Sequence, residues 1–335
     1  MLKLRHIKKD EKIAVAIPTK NRPSYLAVLL NSLLNQTYTN FMIVINDQSN
    51  SPVQRDDAVT DLLAVAKNTG HEIEIIRTKD GWKRHQQAME AVPESIEFIL
   101  RIDDDMLPNA GFIENMLKPF WFFADRPLAA VGGCFPGPKA KKVNLDVNLA
   151  ERSLTSTLDE LTWILQGCHY DNDPEVIEVG SLLGGAICYR RSAVEEAGGW
   201  AVEGYSDHAH REESDLCARL VEKNYTLMVT TEALAWHLLA PGGGSRKYLK
   251  TPGGNLLVSD NSDMESDNKL FNERMKAILE NTGPALSDPK RYKISDLEKD
   301  VFTGAPLRTL KGTTLRVIES KILKKFRGLY RYFTK

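Results

Sequence analysis

A chain of 335 residues is long for one domain and short for two large ones, so a catalytic-sized unit of roughly 200–250 residues plus an appendage is expected. Its 42% hydrophobic and 27% charged residues suit a globular protein with a core that needs no staples, and a net charge of −1 excludes a global drive toward nucleic acid. Cys134, Cys168, Cys188 and Cys217 form no CxxC pair, which argues against zinc and for reduced thiols in a cytoplasmic protein; the N-terminus lacks a signal-peptide apolar run, and no stretch is apolar enough to span a membrane.

The run IAVAI at 13–17 is short, apolar and β-branched, as in a strand buried on both faces, and Pro18 ends it. Over 24–36, Leu26, Leu29, Leu30, Leu33 and Leu34 recur at helical spacing; Asn21 and Ser24 are candidate N-caps, and Pro23 suits a helix start. A second strand at 42–45 ends in the polar turn Asn46-Asp47-Gln48-Ser49. A helix over 56–67, a strand over 73–76, a helix over 82–91 and a strand over 98–102 follow, the last stopping at three consecutive aspartates. This alternation predicts a largely parallel sheet, whose ligands bind beyond the carboxyl ends of the strands. Thr19, Asp47, Asp103, Asp104 and Asp105 all fall at such ends.

The second half is more mixed. Strands are expected at 129–133, 186–189 and 225–229, and a helix at 212–223 with Leu216, Cys217, Leu220 and Val221 on one face. Over 241–267 the composition turns to PGGG, PGG and SDNSDMESD, a flexible lid or linker in which Arg246 and Lys247 are placed to close over an anionic group. From 268 to 335 a helical, basic extension is expected. Leu315, Ile318, Ile322, Phe326, Leu329, Tyr330 and Phe333 keep helical spacing there, and nine Lys/Arg face the lone acidic Glu319 between Arg308 and Lys335. Such a helix either lies on an anionic membrane surface or packs on its own domain or a partner.

Three carboxylates delivered to one point repel, so Asp103, Asp104 and Asp105 need a cation or raised pKa values. Magnesium and manganese take oxygen ligands, commonly one or two carboxylates plus substrate phosphates. On an extended chain Asp103 and Asp105 fall on the same side. The alternative is a solvated acidic turn capping the next helix.

The stretch IPTKNRPSYLAVLLNSLLNQTYTNFMIVINDQS, followed by the aspartate cluster, resembles the family 2 glycosyltransferases of GT-A fold. Members open with a strand, a Pro-Thr-x-Asn-Arg-like loop, a helix ending in Ser-Leu-x-x-Gln-Thr, a strand ending in Asp-Asp-Gly-Ser, and then a DxD motif. The resemblance extends to Leu239. It implies an α/β GT-A nucleotide-sugar-binding domain over 1–240 with a mostly parallel sheet flanked by helices, ahead of the 241–267 lid or linker and the 268–335 extension. It implies donor binding by Pro18, Thr19, Asn21, Arg22, Asp47, Gly81, Arg84, Asp103 and Asp104, with Asp47 on the uracil. Asn46 and Gln48 depart from the family's Asp and Gly around it. A divalent cation, Mn2+ or Mg2+, would sit on Asp105 and His237.

Gly184-Gly185-Ala186, Gly198-Gly199-Trp200 and Glu212-Glu213-Ser214-Asp215-Leu216 resemble the family's Gly-Gly loop, Gly-Gly-aromatic turn and Glu-Asp-x-Asp-Leu helix start. They imply an acceptor side of Gly185, Trp200 and Glu212, with Glu213 as catalytic base where the family has Asp. Helical spacing alone does not choose between Glu212 and Glu213, which also suit a helix N-terminus electrostatically. Asp215 forms an i,i+4 pair with Arg219 and reads as structural.

The implied activity is an inverting, metal-dependent hexosyl transfer from a nucleotide-sugar, UDP-linked by family habit, to a glycan or lipid-linked acceptor in polysaccharide synthesis. The enzyme would be cytoplasmic, with peripheral attachment to the inner membrane face through the C-terminal helix, and without a nucleic-acid partner. Two other classes compete: a nucleotidyltransferase acting on a sugar phosphate, against which PTKNRPS lacks phosphate-loop glycines, and a non-catalytic nucleotide-sugar-binding protein.

Overall fold

In a computed structural model of the chain, residues 7–79, 84–138, 174–200, 203–206, 211–243, 248–250, 256–258, 262–282 and 290–302 are described. Strand β1 (Ile13–Thr19) is buried along its whole length, as its uninterrupted apolar sequence demands of a central strand. It lies between β2 (Phe41–Asp47) and β4 (Phe98–Ile102), parallel to both, and β3 (Ile73–Arg77) extends the sheet parallel to β2. Helices α1 (Pro23–Leu34), α2 (Asp57–Asn68) and α3 (Arg84–Glu90) make the returns between these strands.

Helix α1 buries Leu26, Leu29, Leu30 and Leu33. Pro23 does open it, but neither Asn21 nor Ser24 caps it. The N-cap is Arg22, without a side-chain cap bond, because Asn21 takes a left-handed φ of 56° and turns its amide to another loop.

After β4 come β5 (Met106–Pro108), α4 (Phe112–Phe122), β6 (Leu128–Cys134), β7 (Glu175–Val179), β8 (Ala186–Arg190), α5 (Arg191–Glu196), α6 (Glu212–Glu222) and β9 (Thr226–His237). Beyond them lie the hairpin β10 (Tyr248–Lys250) and β11 (Leu256–Val258), then α7 (Ser262–Thr282), β12 (Arg291–Lys293) and α8 (Ile294–Phe302). The main sheet has the order β12-β7-β9-β6-β8-β4-β1-β2-β3, with β5 paired to β9. Along this path only β7 and β8 run against the rest, so the sheet is mostly parallel with two reversals.

The chain divides into two units, one up to Ile294 and one from Ser295. Within the first, Phe271, Met275 and Ile278 of α7 pack with Tyr205 and with Ala218 of α6. The second is represented by the remainder of α8; the basic tail 303–335 lies outside the described residues. No helix among the described residues is long and apolar enough to cross a membrane. Cys134, Cys188 and Cys217 are buried free thiols, and Cys168 lies outside the described residues.

Candidate active site

The carboxyl ends of β1, β2 and β4 meet at one place. Beyond Ile102 the chain does not stay extended: the Met106 N–H donates to the Asp103 carbonyl (3.2 Å), closing a tight turn over 103–106. The expectation that Asp103 and Asp105 share a side is therefore corrected. A turn abolishes the two-residue alternation on which it rested, and Asp104 and Asp105 converge instead. The Thr19 hydroxyl donates to Asp104 Oδ2 (2.7 Å), and Arg22 Nη1 lies 3.1 Å from Asp104 Oδ1 and 3.4 Å from Asp105 Oδ2. Burial pushes Asp104 up to about 6 against the pull of Arg22. Burial also works to raise Asp105, but its hydrogen bond and charge contact with His237, with help from Arg22 and the Ala240 N–H, hold it down at about 2.

His237, the last residue of β9, reaches this cluster because β9 pairs with β5 directly after the acidic turn, with Met106 opposite His237. Its Nε2 lies 3.4 Å from Asp105 Oδ1, while Oδ2 is occupied by the Ala240 N–H (3.1 Å) and Arg22. Arg22 also donates through Nε to the Gly242 carbonyl (2.7 Å) and through Nη2 to that of Gly243 (3.1 Å). The glycine-rich loop after β9 is thus fastened over the loop after β1. Gly243 has a φ of 70°, and a Cβ there would lie 2.5 Å from the Lys20 carbonyl oxygen.

Pro18 sits within β1 opposite Asn46, and the Asn21 N–H donates to Ser49 Oγ (2.8 Å) while its Oδ1 accepts from the Asn50 N–H (2.9 Å). Asp47 has no exposed side-chain surface: Oδ1 accepts from the Ser49 N–H (2.9 Å), and Oδ2 from the Val53 N–H and Arg77 Nη1 (both 3.0 Å). Asp47 therefore shapes the 47–53 loop here. The cation exposed beside it is Arg77, which sequence reading missed although it closes β3 as Asp47 closes β2.

On the other side of the acidic turn, the Asp103 N–H donates to the Gly185 carbonyl (2.9 Å), tying the turn to the Gly-Gly loop before β8. Glu213, in the first turn of α6, lies against that loop: a Cβ on Gly184 would stand 3.1 Å from its carboxyl carbon. Glu212 faces inward, where Arg101 Nη2 lies 3.0 Å from its Oε1. His85 Nε2 stands 3.2 Å from that Nη2, 3.5 Å from Glu212 Oε1 and 3.6 Å from Asp103 Oδ1. Burial opposes the charge of Arg101, yet Glu212 and Asp103 more than restore it. Arg101 was legible as the lone charge within the apolar run FILRI; nothing in the sequence marked His85.

Gly198 and Gly199 both take left-handed φ values (94° and 85°), the turn that delivers Trp200. The Trp200 ring meets Tyr189 edge-on at 5.3 Å and packs, partly exposed, against the core. Gly81, Arg246 and Lys247 lie outside the described residues, as does the side chain of Arg84, whose backbone opens α3.

Residues 14–198 match Glycosyl transferase family 2. Among curated protein sequences none matches the chain. Among solved structures, S. aureus TarS 1–349 in complex with UDP-GlcNAc aligns with a TM-score of 0.51 at 17% identity, over 82% of this chain and 68% of that one. A second S. aureus TarS structure aligns with a TM-score of 0.45 at 17% identity over 69% of this chain, which spans only 37% of that one. The mannosyltransferase PcManGT from Pyrobaculum calidifontis, in complex with GDP-Man and Mn2+, aligns with a TM-score of 0.48 at 14% identity over 87% and 79% of the two chains. The likeness to TarS 1–349 carries the GT-A fold, and the sequence match takes in β1 through the Gly198 turn with the acidic cluster inside it. A match over more than half of the chain settles its membership: this protein belongs to glycosyl transferase family 2.

Proposed function

We propose that the protein transfers a hexosyl group from a nucleotide-sugar to an acceptor hydroxyl with inversion at the anomeric carbon. The observation that carries this is the pairing of two acidic centres across one turn. Asp104 and Asp105 converge at the ends of the parallel strands, and Glu213 stands beyond Gly185, whose carbonyl accepts from the N–H of Asp103. Thr19 and Arg22 contact the first centre and Asp103 adjoins it; with Pro18, Asn21 and Asp47, and with Arg77 beside Asp47, they form the donor side, to which Gly81 and Arg84 are family-implied additions. A UDP-linked donor is favoured by the UDP-GlcNAc complex of the TarS neighbour.

The donor atoms at Asp105 fit a divalent cation. Ligands about 2.1 Å from an ion sit about 3 Å apart when adjacent, close to the 3.4 Å between Asp105 Oδ1 and His237 Nε2. Among the described residues no third His, Cys, Asp or Glu joins them, and donor phosphate oxygens and water would supply further ligands. Bound there, Mn2+ or Mg2+ would neutralise charge on the departing nucleoside diphosphate.

Glu213 accepts the proton of the attacking hydroxyl. What supports Glu213 over Glu212 is that the Glu212 carboxylate is held by Arg101, whereas Glu213 lines the Gly184 loop. Trp200 and Gly185 border the acceptor path. A glycan or lipid-linked acceptor in polysaccharide synthesis, reached with the help of the basic tail at the inner membrane face, completes the reading.

The test is titration calorimetry with UDP, GDP and their sugars, with and without Mn2+. Expected is metal-dependent binding of a nucleoside diphosphate, strengthened by the sugar and weakened by about tenfold or more in Asp105→Asn. Binding that ignores both the metal and Asp105→Asn rejects this site.

A further inference from the structure

The geometry points to Arg101, seconded by His85, as the positioning group that fixes the first turn of α6 and, through it, the carboxylate of Glu213. The inference rests on the proposed role of Glu213.

Helix α6 begins without ordinary capping. Its N-cap, Arg211, has a left-handed φ of 78° and makes no side-chain cap bond, where a Ser, Thr, Asp or Asn would hold the first N–H groups. The first turn is anchored from outside instead. Glu212 is bound by Arg101 of β4, and Asp215 is held by the Tyr205 hydroxyl (3.1 Å) and Arg274 (3.1 Å), beside its pair with Arg219 of the same helix (2.9 Å). Glu213 lies between these two anchors.

Arg101 is suited to the task. It sits on a central strand opposite Ile187 and Ala16, so its backbone cannot drift. Its side chain is 6% exposed, and Nε has no hydrogen-bond partner among the described residues. A buried ion pair is a weak source of stability, because desolvation consumes most of the attraction, but it is directional. His85 packs its ring nitrogen against Arg101, Glu212 and Asp103 together. One buried knot therefore ties the acidic turn on the donor side to the helix that carries the base.

The experiment separates positioning from stability. In the double variant Arg101→Met/Glu212→Gln both members of the buried pair go, and Asp103, with a partly exposed side chain, keeps His85 beside it, so the melting temperature should stay near wild type. Displacement of the reacting carboxylate by about 1 Å should still lower kcat about 100-fold, since geometry near the reacting atoms is that demanding. Nucleoside diphosphate affinity should move less than about threefold, the mark of an effect confined to the chemical step. Arg101→Lys, which restores a charge but not the fork, should recover part of the rate.

A second readout needs no turnover: carbodiimide-driven amidation of Glu213, followed by peptide mass spectrometry, should change in rate in the double variant and move back toward wild type in Arg101→Lys. Wild-type kcat together with wild-type labelling overturns the inference. Should the double variant fail to fold, Arg101→Lys decides by the same two readouts. If the wild-type protein transfers no sugar, the proposed activity falls while the labelling still judges the positioning.

Discussion

Strands β3, β2, β1 and β4 lie side by side in parallel, joined by helical returns, and their candidate site residues sit where they end. The region from β8 to β12 is assembled otherwise. β8 inserts antiparallel between β4 and β6, and β9 crosses to pair with β6, β7 and β5. The difference carries into the chemistry. On the parallel side the charges are held by a cation on a loop, Arg22, which lies over both Asp104 and Asp105 and bonds two glycine carbonyls. On the mixed side they are locked by ion pairs between distant segments, Arg101 to Glu212 and Arg274 to Asp215. One arginine shared by two carboxylates leaves that side the more easily rearranged, which suits the proposed admission and release of a charged donor. Carboxylates locked on either side of Glu213 suit a helix turn that has to hold the proposed proton acceptor in place.

The largest expected effect tests the locked side. Glu213→Gln keeps the shape of the side chain and removes its basicity, so transfer should fall about 100- to 10,000-fold. Donor binding, which belongs to the parallel side, should stay within about twofold by calorimetry. A variant that turns over at the wild-type rate removes Glu213 from the reaction; one that loses donor affinity as well breaks the division between the two sides.

A smaller effect is expected at Gly184. Its added Cβ would stand 3.1–3.4 Å from the carboxyl atoms of Glu213, the far end of a flexible side chain. In Gly184→Ala the carboxylate can swing aside at little cost in stability, yet a shift of a few tenths of an ångström in a base should lower kcat about tenfold. An unchanged kcat would mean that the loop does not set where Glu213 stands.

The two regions also differ in how far they could be read from sequence. The parallel strands are legible because apolar runs such as IAVAI and FILRI, with helical repeats between them, carry their own periodicity, and each ends at a candidate site residue. The mixed region hides its pairing. β8 was readable as a strand, but not its place between β4 and β6, because that register depends on partners remote in sequence. β5, only three residues long, has no period to detect, yet it brings His237 to Asp105. The family resemblance supplied His237 and Glu213 as candidates, which periodicity could not. The turn at Asp103 defeated the extended-chain argument, since a tight turn after an edge of apolar residues looks the same in sequence as one more strand position. Asp47 was legible as the polar end of β2, but its burial beneath Arg77 was not.

The smallest effect sharpens the parallel side. Gly243 holds a φ of 70°, and its Cβ would meet the Lys20 carbonyl oxygen and Arg22 Cγ, both at 2.5 Å. In Gly243→Ala the left-handed backbone costs about 1–2 kcal/mol, and the contact adds to it because a carbonyl of β1's own loop cannot retreat. Arg22 binds this loop through the carbonyls of Gly242 and Gly243, so the loop can lift away without disturbing the sheet. Global melting should therefore fall by only a few degrees, while amide exchange in the 241–243 loop rises. Arg22, freed of its two carbonyls, keeps Asp104 and Asp105 as partners, so metal affinity should hold. Donor affinity should weaken about two- to fivefold, because the proposed donor side loses the loop that Arg22 fastens beside it. Wild-type exchange in Gly243→Ala would mean that the loop is held by something other than Arg22, and the contrast between a fastened loop and a locked helix would lose its parallel-side half.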